Sequence, residues 1–138
     1  MAREFVDTNV LLYAYDREGT KHEEALALIE RLHETGSGAL SIQVLQEFFV
    51  NVTSKIAVPL DVEGARERVR RLGTWPTHVP DVDDVLEAID IHSEHRISFW
   101  DAMIVRSASR LGCDVLWTED LANGRVYRGA RVQDPFTA

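Results

Sequence analysis

Residues 4–15 of the chain read EFVDTNVLLYAY, and the order of residue types in that stretch decides the fold. Glu4 to Val6 predicts a short strand. It runs straight into Asp7-Thr8-Asn9, three residue types whose side chains cap helix N-termini. Val10 to Tyr15 then predicts a short helix. A strand passing into a helix without a linker is the start of a βα unit, and the same alternation continues down the chain.

Thr20 is expected to cap a second helix, where Ala25, Leu28, Ile29 and Leu32 recur at helical spacing until Gly36 stops it. Ala39 to Ile42 is a small strand. Residues 41–57, SIQVLQEFFVNVTSKIA, then place Val44, Leu45, Phe48, Phe49 and Val52 on one helical face. Pro59 ends that stretch and Asp61 opens another helix. Trp75 to Val79 reads as a strand that Pro76 confines to a sheet edge. Asp81 or Asp83 caps a helix running through Ile91, and Ser98 caps one that buries Met103, Ile104 and Ala108. Asp114 to Thr118, DVLWT, is a strand, and Val132 is the centre of a last short one. Short strands alternating with helices predict an α/β protein with a parallel sheet covered on both faces and right-handed crossovers. In such sheets the functional groove lies at the carboxyl ends of the strands.

The 138 residues fit a single domain, 1–138, large enough to bury its own core. Their net charge of −8 excludes a protein that holds nucleic acid by bulk electrostatics, so any such contact is local and cation-assisted. Arginines cluster at Arg66, Arg68, Arg70 and Arg71 and again at Arg125, Arg128 and Arg131. They read as a solvated helix face and a polar loop, or as a phosphate-contacting rim. No apolar run approaches the roughly 20 residues a membrane span needs, and the start of the sequence lacks a signal-peptide pattern. The lone cysteine, Cys113, has no partner in the chain, which suits a reducing cytosol.

Four acids stand where chemistry is expected. Asp7 ends the first strand in V-D-T-N, Asp101 lies in S-F-W-D-A, and Asp120 follows DVLWT in T-E-D-L. Each has an ordinary reading: Asp7 as an N-cap, Asp101 as a first-turn acid behind Ser98, Asp120 as a turn residue. Glu47 lies among large apolar residues in V-L-Q-E-F-F, so it must face solvent or meet a cation. Together the four could converge on one groove. Clustered carboxylates repel, and metal makes them tolerable. All-oxygen ligation suits Mg²⁺ or Mn²⁺ rather than Zn²⁺, and those ions assist in-line attack at phosphorus.

V-D-T-N, Q-E-F-F, S-F-W-D-A and T-E-D-L follow in the order and rough spacing of PIN-domain ribonucleases, and most resemble the VapC-type toxins of prokaryotic toxin–antitoxin pairs. The resemblance covers Glu4 to about Phe136. It implies a three-layer α/β/α sandwich around a central parallel sheet, and metal-dependent cleavage of RNA. It also implies a homodimer and a cognate antitoxin whose C-terminal segment blocks the site. By position, Asp7 and Asp101 look like the principal ligands of Mg²⁺ or Mn²⁺, with Glu47 and Asp120 completing the acidic and catalytic set. Thr8, Asn9, Ser98 and Thr118 would support them. Where some family members read T-x-D-x-D-F this chain reads TEDLANG, so Glu119 is the alternative fourth acid. Asp120 aligns with T-x-D.

Other residues carry weaker expectations. His92 and His95 could share a helix face, but no third nitrogen or sulfur ligand stands near them. Cys113 reads as a small buried apolar group. Trp100 abuts Asp101 and either packs in the core or stacks on an unpaired base. A glycine-rich phosphate loop is missing. Two rival functions remain. An Asp-nucleophile phosphatase of the D-x-D type would need an acid at position 9, which is Asn9. A catalytically silent PIN-like module would bind RNA or protein with the four acids idle.

Overall fold

The computed structural model describes residues 2–137. β1 (Arg3–Val6) buries Phe5 and Val6 completely and passes through Asp7 into α1 (Thr8–Tyr13). Asp7 is extended and its side chain accepts the Thr8 amide, so the helix begins two residues earlier than the apolar pattern predicts. α2 (His22–Thr35) is capped at its far end by Gly36, at φ 68°. Thr20 is not its cap. Lys21 holds that position without a side-chain bond, and Glu23 and Glu24 in the first turn answer the helix dipole instead.

β2 (Gly38–Ser41) is buried along its whole length and ends on Ser41, which caps α3 (Ile42–Val52). α4 (Val62–Leu72) starts on Asp61 as expected. The two-residue β3 (Thr77–His78) follows Pro76 at the sheet edge. α5 (Val82–His95) opens on a capping box between Asp81 and Asp84 and runs a turn beyond Ile91. α6 (Phe99–Arg110) starts on Ser98, and β4 (Cys113–Trp117) follows. The end of the sheet adds one antiparallel edge strand to the parallel sheet expected. β5 (Val126–Tyr127) turns through Arg128 and Gly129, both at positive φ, and pairs antiparallel with β6 (Ala130–Gln133). Two such residues in a row suit the tight turn of a two-residue hairpin.

The strand order is β3-β2-β1-β4-β6-β5, parallel except for β5. From β1 the chain steps outward to β2 and β3, then crosses back through α5 and α6 to β4 on the other side of β1. Right-handed crossovers in opposite directions cover opposite sheet faces, which gives the three layers. The direction reverses between β1 and β4, so their carboxyl ends diverge and open a crevice. The core centres on Phe5, Leu40, Phe48, Ile104, Leu116 and Val132, all essentially inaccessible to water. Cys113 is buried there, and burial pushes its thiol up to about 12, which leaves it inert. Among the described residues, no helix is long and apolar enough to cross a membrane.

A buried polar network ties the edge to this frame. His78 bonds Ser107 at 2.8 Å and Asp84 at 3.0 Å, and Asp84 also accepts from Arg106 (2.8 Å) and Arg110 (3.2 Å). Short β3 is thereby anchored to α5 and α6 by side chains as well as by its ladder.

Candidate metal centre

Asp7 follows β1 and Thr118 to Asp120 follow β4, so the topology delivers both to the crevice. The Asp7 amide donates to the Trp117 carbonyl at 2.9 Å, which carries the sheet pairing one residue beyond Val6. The Asp7 side chain, 5% exposed, is held at both oxygens. Oδ1 accepts from the Thr8 amide at 2.7 Å, and Oδ2 from the Thr118 hydroxyl at 2.8 Å. Thr118 is fully buried and its oxygen accepts in turn from the Asp120 amide at 3.1 Å. One hydroxyl therefore fixes two of the acids.

Asp101 arrives from the opposite layer, on the first turn of α6, where its amide donates to Ser98 Oγ at 3.0 Å. Asp7, Asp101 and Asp120 each offer a carboxylate oxygen within 4.8 Å of the others. Glu47 lines the same cleft of about 230 Å³, with its Oε1 held by the Thr8 hydroxyl at 3.0 Å and, more loosely, by Gln43 Nε2 at 3.4 Å. It sits beside the three-acid cluster rather than within it. Glu119 turns away: it accepts from Tyr13 at 2.6 Å and pairs with Lys21 at 2.5 Å. Burial raises the Glu119 carboxyl, but those two partners outweigh it and hold it low. Asn9 donates to Asp120 Oδ2 at 2.8 Å and weakly to Thr118. His92 and His95 lie outside the cluster and bond Ile97 and Arg125.

The electrostatics follow from this packing. Burial pushes the Asp7 carboxyl up to about 7, against the Thr118 and Thr8 bonds, and Asp120 and Asp101 push the same way. Asp101 is raised mainly by burial, opposed by Ser98, with Asp120 adding repulsion. None of the described ion pairs reaches these three acids. The buried Asn9 Oδ1 has no hydrogen-bond partner. Three carboxylates without a cationic partner form an all-oxygen donor set, and Asn9 with its orphaned amide oxygen lines the same cleft, which fits a hard divalent cation with water in its shell.

Two cleft residues escaped sequence reasoning. Gln43 and Asn51 line the crevice with Glu47. Their signal was a polar stripe at positions 43, 47 and 51, running along the helix beside the face of buried Val44, Leu45, Phe48 and Val52. Of the two readings of Trp100, core packing is removed: it lines the cleft and is 64% exposed.

No curated protein matches the sequence. Among the solved structures that share the fold are two toxins or toxin complexes. A toxin–antitoxin complex from Klebsiella pneumoniae is 21% identical with a TM-score of 0.70, covering 98% of this chain and 99% of that one. VapC20 of Mycobacterium tuberculosis, a toxin that cleaves the sarcin–ricin loop, is 20% identical with a TM-score of 0.60, covering 81% and 85%. The model of the PIN domain matches residues 5–128, and on that match the chain belongs to the PIN-domain family.

Proposed function

We propose that the protein is a divalent-metal-dependent endoribonuclease and the toxin of a toxin–antitoxin pair. Asp7, Asp101 and Asp120 would hold Mg²⁺ or Mn²⁺, with Glu47 completing the acidic set. The observation that carries this reading is the convergence of the three aspartates, two from strand ends and one from the first turn of α6, at the point where the sheet changes direction. When bound, such an ion makes water a better nucleophile and offsets charge on the phosphate oxygens.

The chain's own residues supply position and proton handling. Thr118 and the Thr8 amide fix the direction of Asp7, and the α6 cap fixes Asp101. Glu47 keeps one oxygen engaged by Thr8, which leaves Oε2 to accept the proton lost by attacking water. Asn9 orients Asp120.

RNA as substrate is supported by the motif resemblance and by the printed activity of VapC20. The Klebsiella complex supports an antitoxin as partner. An apolar groove of about 600 Å³ between α3 and α4, lined by Leu45, Phe49, Val50, Val62 and Val69, offers such a partner a surface. The same reading carries a homodimer and a cytosolic location.

The test is cleavage of end-labelled RNA in Mg²⁺, Mn²⁺ and excess EDTA, with Asp7→Asn alongside. Cleavage in either ion, lost in chelator and in the variant, is expected. Full activity in chelator would overturn the metal-dependent reading. RNA binding with no cleavage in any divalent ion would leave a silent binding module.

A further inference from the structure

We infer that Trp100 is a base-stacking platform, the element that makes the cleft prefer an unpaired nucleotide next to the cut phosphodiester. The inference rests on the endoribonuclease reading. It begins with an anomaly. A tryptophan on the first turn of a helix that buries its neighbours Ala102, Met103, Ile104 and Val105 is 64% exposed. Trp75 is buried in the same protein, so the chain does not lack places to put an indole. An indole with most of its area in water is a large, rigid apolar face available to a ligand.

Its surroundings name the ligand. Trp100 precedes Asp101 in the chain and lines the same cleft as Asp7 and Asp120. A phosphate drawn to a cation at those acids would therefore leave its own base, or the adjoining one, within reach of the indole. Phe99 approaches the ring edge-on at 5.1 Å and 74°, and the exposure leaves an indole face open to solvent. The backbone below is pinned, because Gln43 Nε2 donates to the Trp100 carbonyl at 3.3 Å. A held, flat, exposed π-face beside a phosphate-binding centre suits a nucleobase, which presents its own face whatever its sequence. A paired base offers no such face, since its stack is already filled. The platform therefore favours single-stranded or looped RNA over duplex. A protein partner anchored on the same indole is the competing occupant, and the test separates the two.

The experiment uses the full chain as wild type, Trp100→Phe and Trp100→Ala. Cleavage is measured in Mg²⁺ or Mn²⁺, and binding of a short oligouridine by tryptophan emission in Ca²⁺, whose looser coordination favours binding over turnover. Oligouridine is expected to quench emission in the wild type, and the quench should shrink in both variants. KM for single-stranded RNA should rise about ten-fold in Trp100→Ala, with kcat within about two-fold, and Trp100→Phe should recover most of the affinity. Duplex RNA should bind wild type and Trp100→Ala equally weakly. Unchanged KM and binding in Trp100→Ala, with cleavage intact, would overturn the stacking role and leave the nuclease standing. The protein-anchor alternative gives that result. A Trp100-dependent quench without cleavage in any divalent ion would sink the nuclease and keep the platform.

Discussion

Two buried aspartates set the cleft against the rest of the molecule. Asp7 is 5% exposed and Asp84 is 1% exposed, yet their carboxyls are displaced in opposite directions. Burial raises both. At Asp84 the Asp81 amide, Arg106 and His78 outweigh it and hold the group well below the usual carboxylate range. At Asp7 two hydrogen bonds fall short, and Asp120 and Asp101 add repulsion. The lesson is that burial alone does not mark a functional acid. Burial without a cation does, since a fold has no structural reason to keep such a charge.

The sharpest break between the two regions is functional. Asp101→Asn keeps the side chain's shape but takes one charge from the cluster. Losing a group that merely orients a metal ligand costs roughly 10–100-fold, so losing a ligand should exceed that. Cleavage is expected to drop by more than about 100-fold, with the far-UV spectrum unchanged. Asp84→Asn should keep the cleavage of whatever fraction remains folded. Equal loss of activity in the two variants would erase the distinction.

Stability should move the other way. Asp84→Asn leaves Arg106 and Arg110 facing a neutral amide, and removing one member of a buried ion pair is costly. A loss of about 3 kcal/mol is expected in urea melts, at the lower end because Arg110 can turn its charge to water. A loss below about 1 kcal/mol would mean that the network is not what holds β3 to α5 and α6.

Much of this was legible in sequence, and what was missed has a common cause. β1, α3, α4 and α6 follow from apolar period and capping residues, which act over three or four positions. The order V-D-T-N, S-F-W-D-A, T-E-D-L likewise fixed which acids lie at strand ends and helix starts. The Asp84 network was not legible, because His78, Asp84, Arg106 and Arg110 are up to 32 positions apart and each looks like a surface residue. Only the fold reports that they are buried together. β5 was missed because its two residues are too short to show a period. For Trp100 the sequence leaves core and cleft both open, since tryptophan is usually drawn to a core. On α4, Arg70 and Arg71 pair with Glu67 on the surface.

The opposite displacements also give opposite responses to pH. For Asp7 the folded value, about 7, lies above the ordinary 3.8, so the folded chain keeps a proton that the unfolded chain has released. Its contribution to metal-free stability therefore falls as pH rises from about 4 to 7 and then levels off. Three units correspond to about 4 kcal/mol as a ceiling, and relaxation should leave about 2 kcal/mol in practice. For Asp84 the folded value is depressed, so its contribution is present above the ordinary carboxylate range and lost as pH falls below it. Melts in EDTA between pH 4 and 8 should show the Asp7 slope in wild type and its absence in Asp7→Asn. A wild-type profile parallel to the variant's would place Asp7 in a neutralised environment after all.

The smallest effect is the most discriminating, because it separates Asp120 from Glu119. Asp120 is the exposed member of the cluster, so water screens most of its repulsion with Asp7 and Asp101. Unit charges about 5 Å apart repel by roughly 3 kcal/mol at an effective dielectric near 20, and exposure should leave well under 1 kcal/mol. Asp120→Asn keeps the backbone bond to Thr118, and its amide oxygen can still accept from Asn9. The metal-free protein should therefore become slightly more stable, by about 0.5 kcal/mol, while Mg²⁺ stabilises the variant less than the wild type. Glu119→Gln should do the reverse, because that acid is held by Lys21 and Tyr13. It should lose a few tenths of a kcal/mol, as partly exposed pairs do, and keep the full Mg²⁺ shift. Four melts, each with EDTA and with Mg²⁺, settle the choice. A normal Mg²⁺ shift in Asp120→Asn together with a lost shift in Glu119→Gln would move the fourth acid one residue back along the chain. Tyr13 and Lys21 would then have to release Glu119 whenever metal binds.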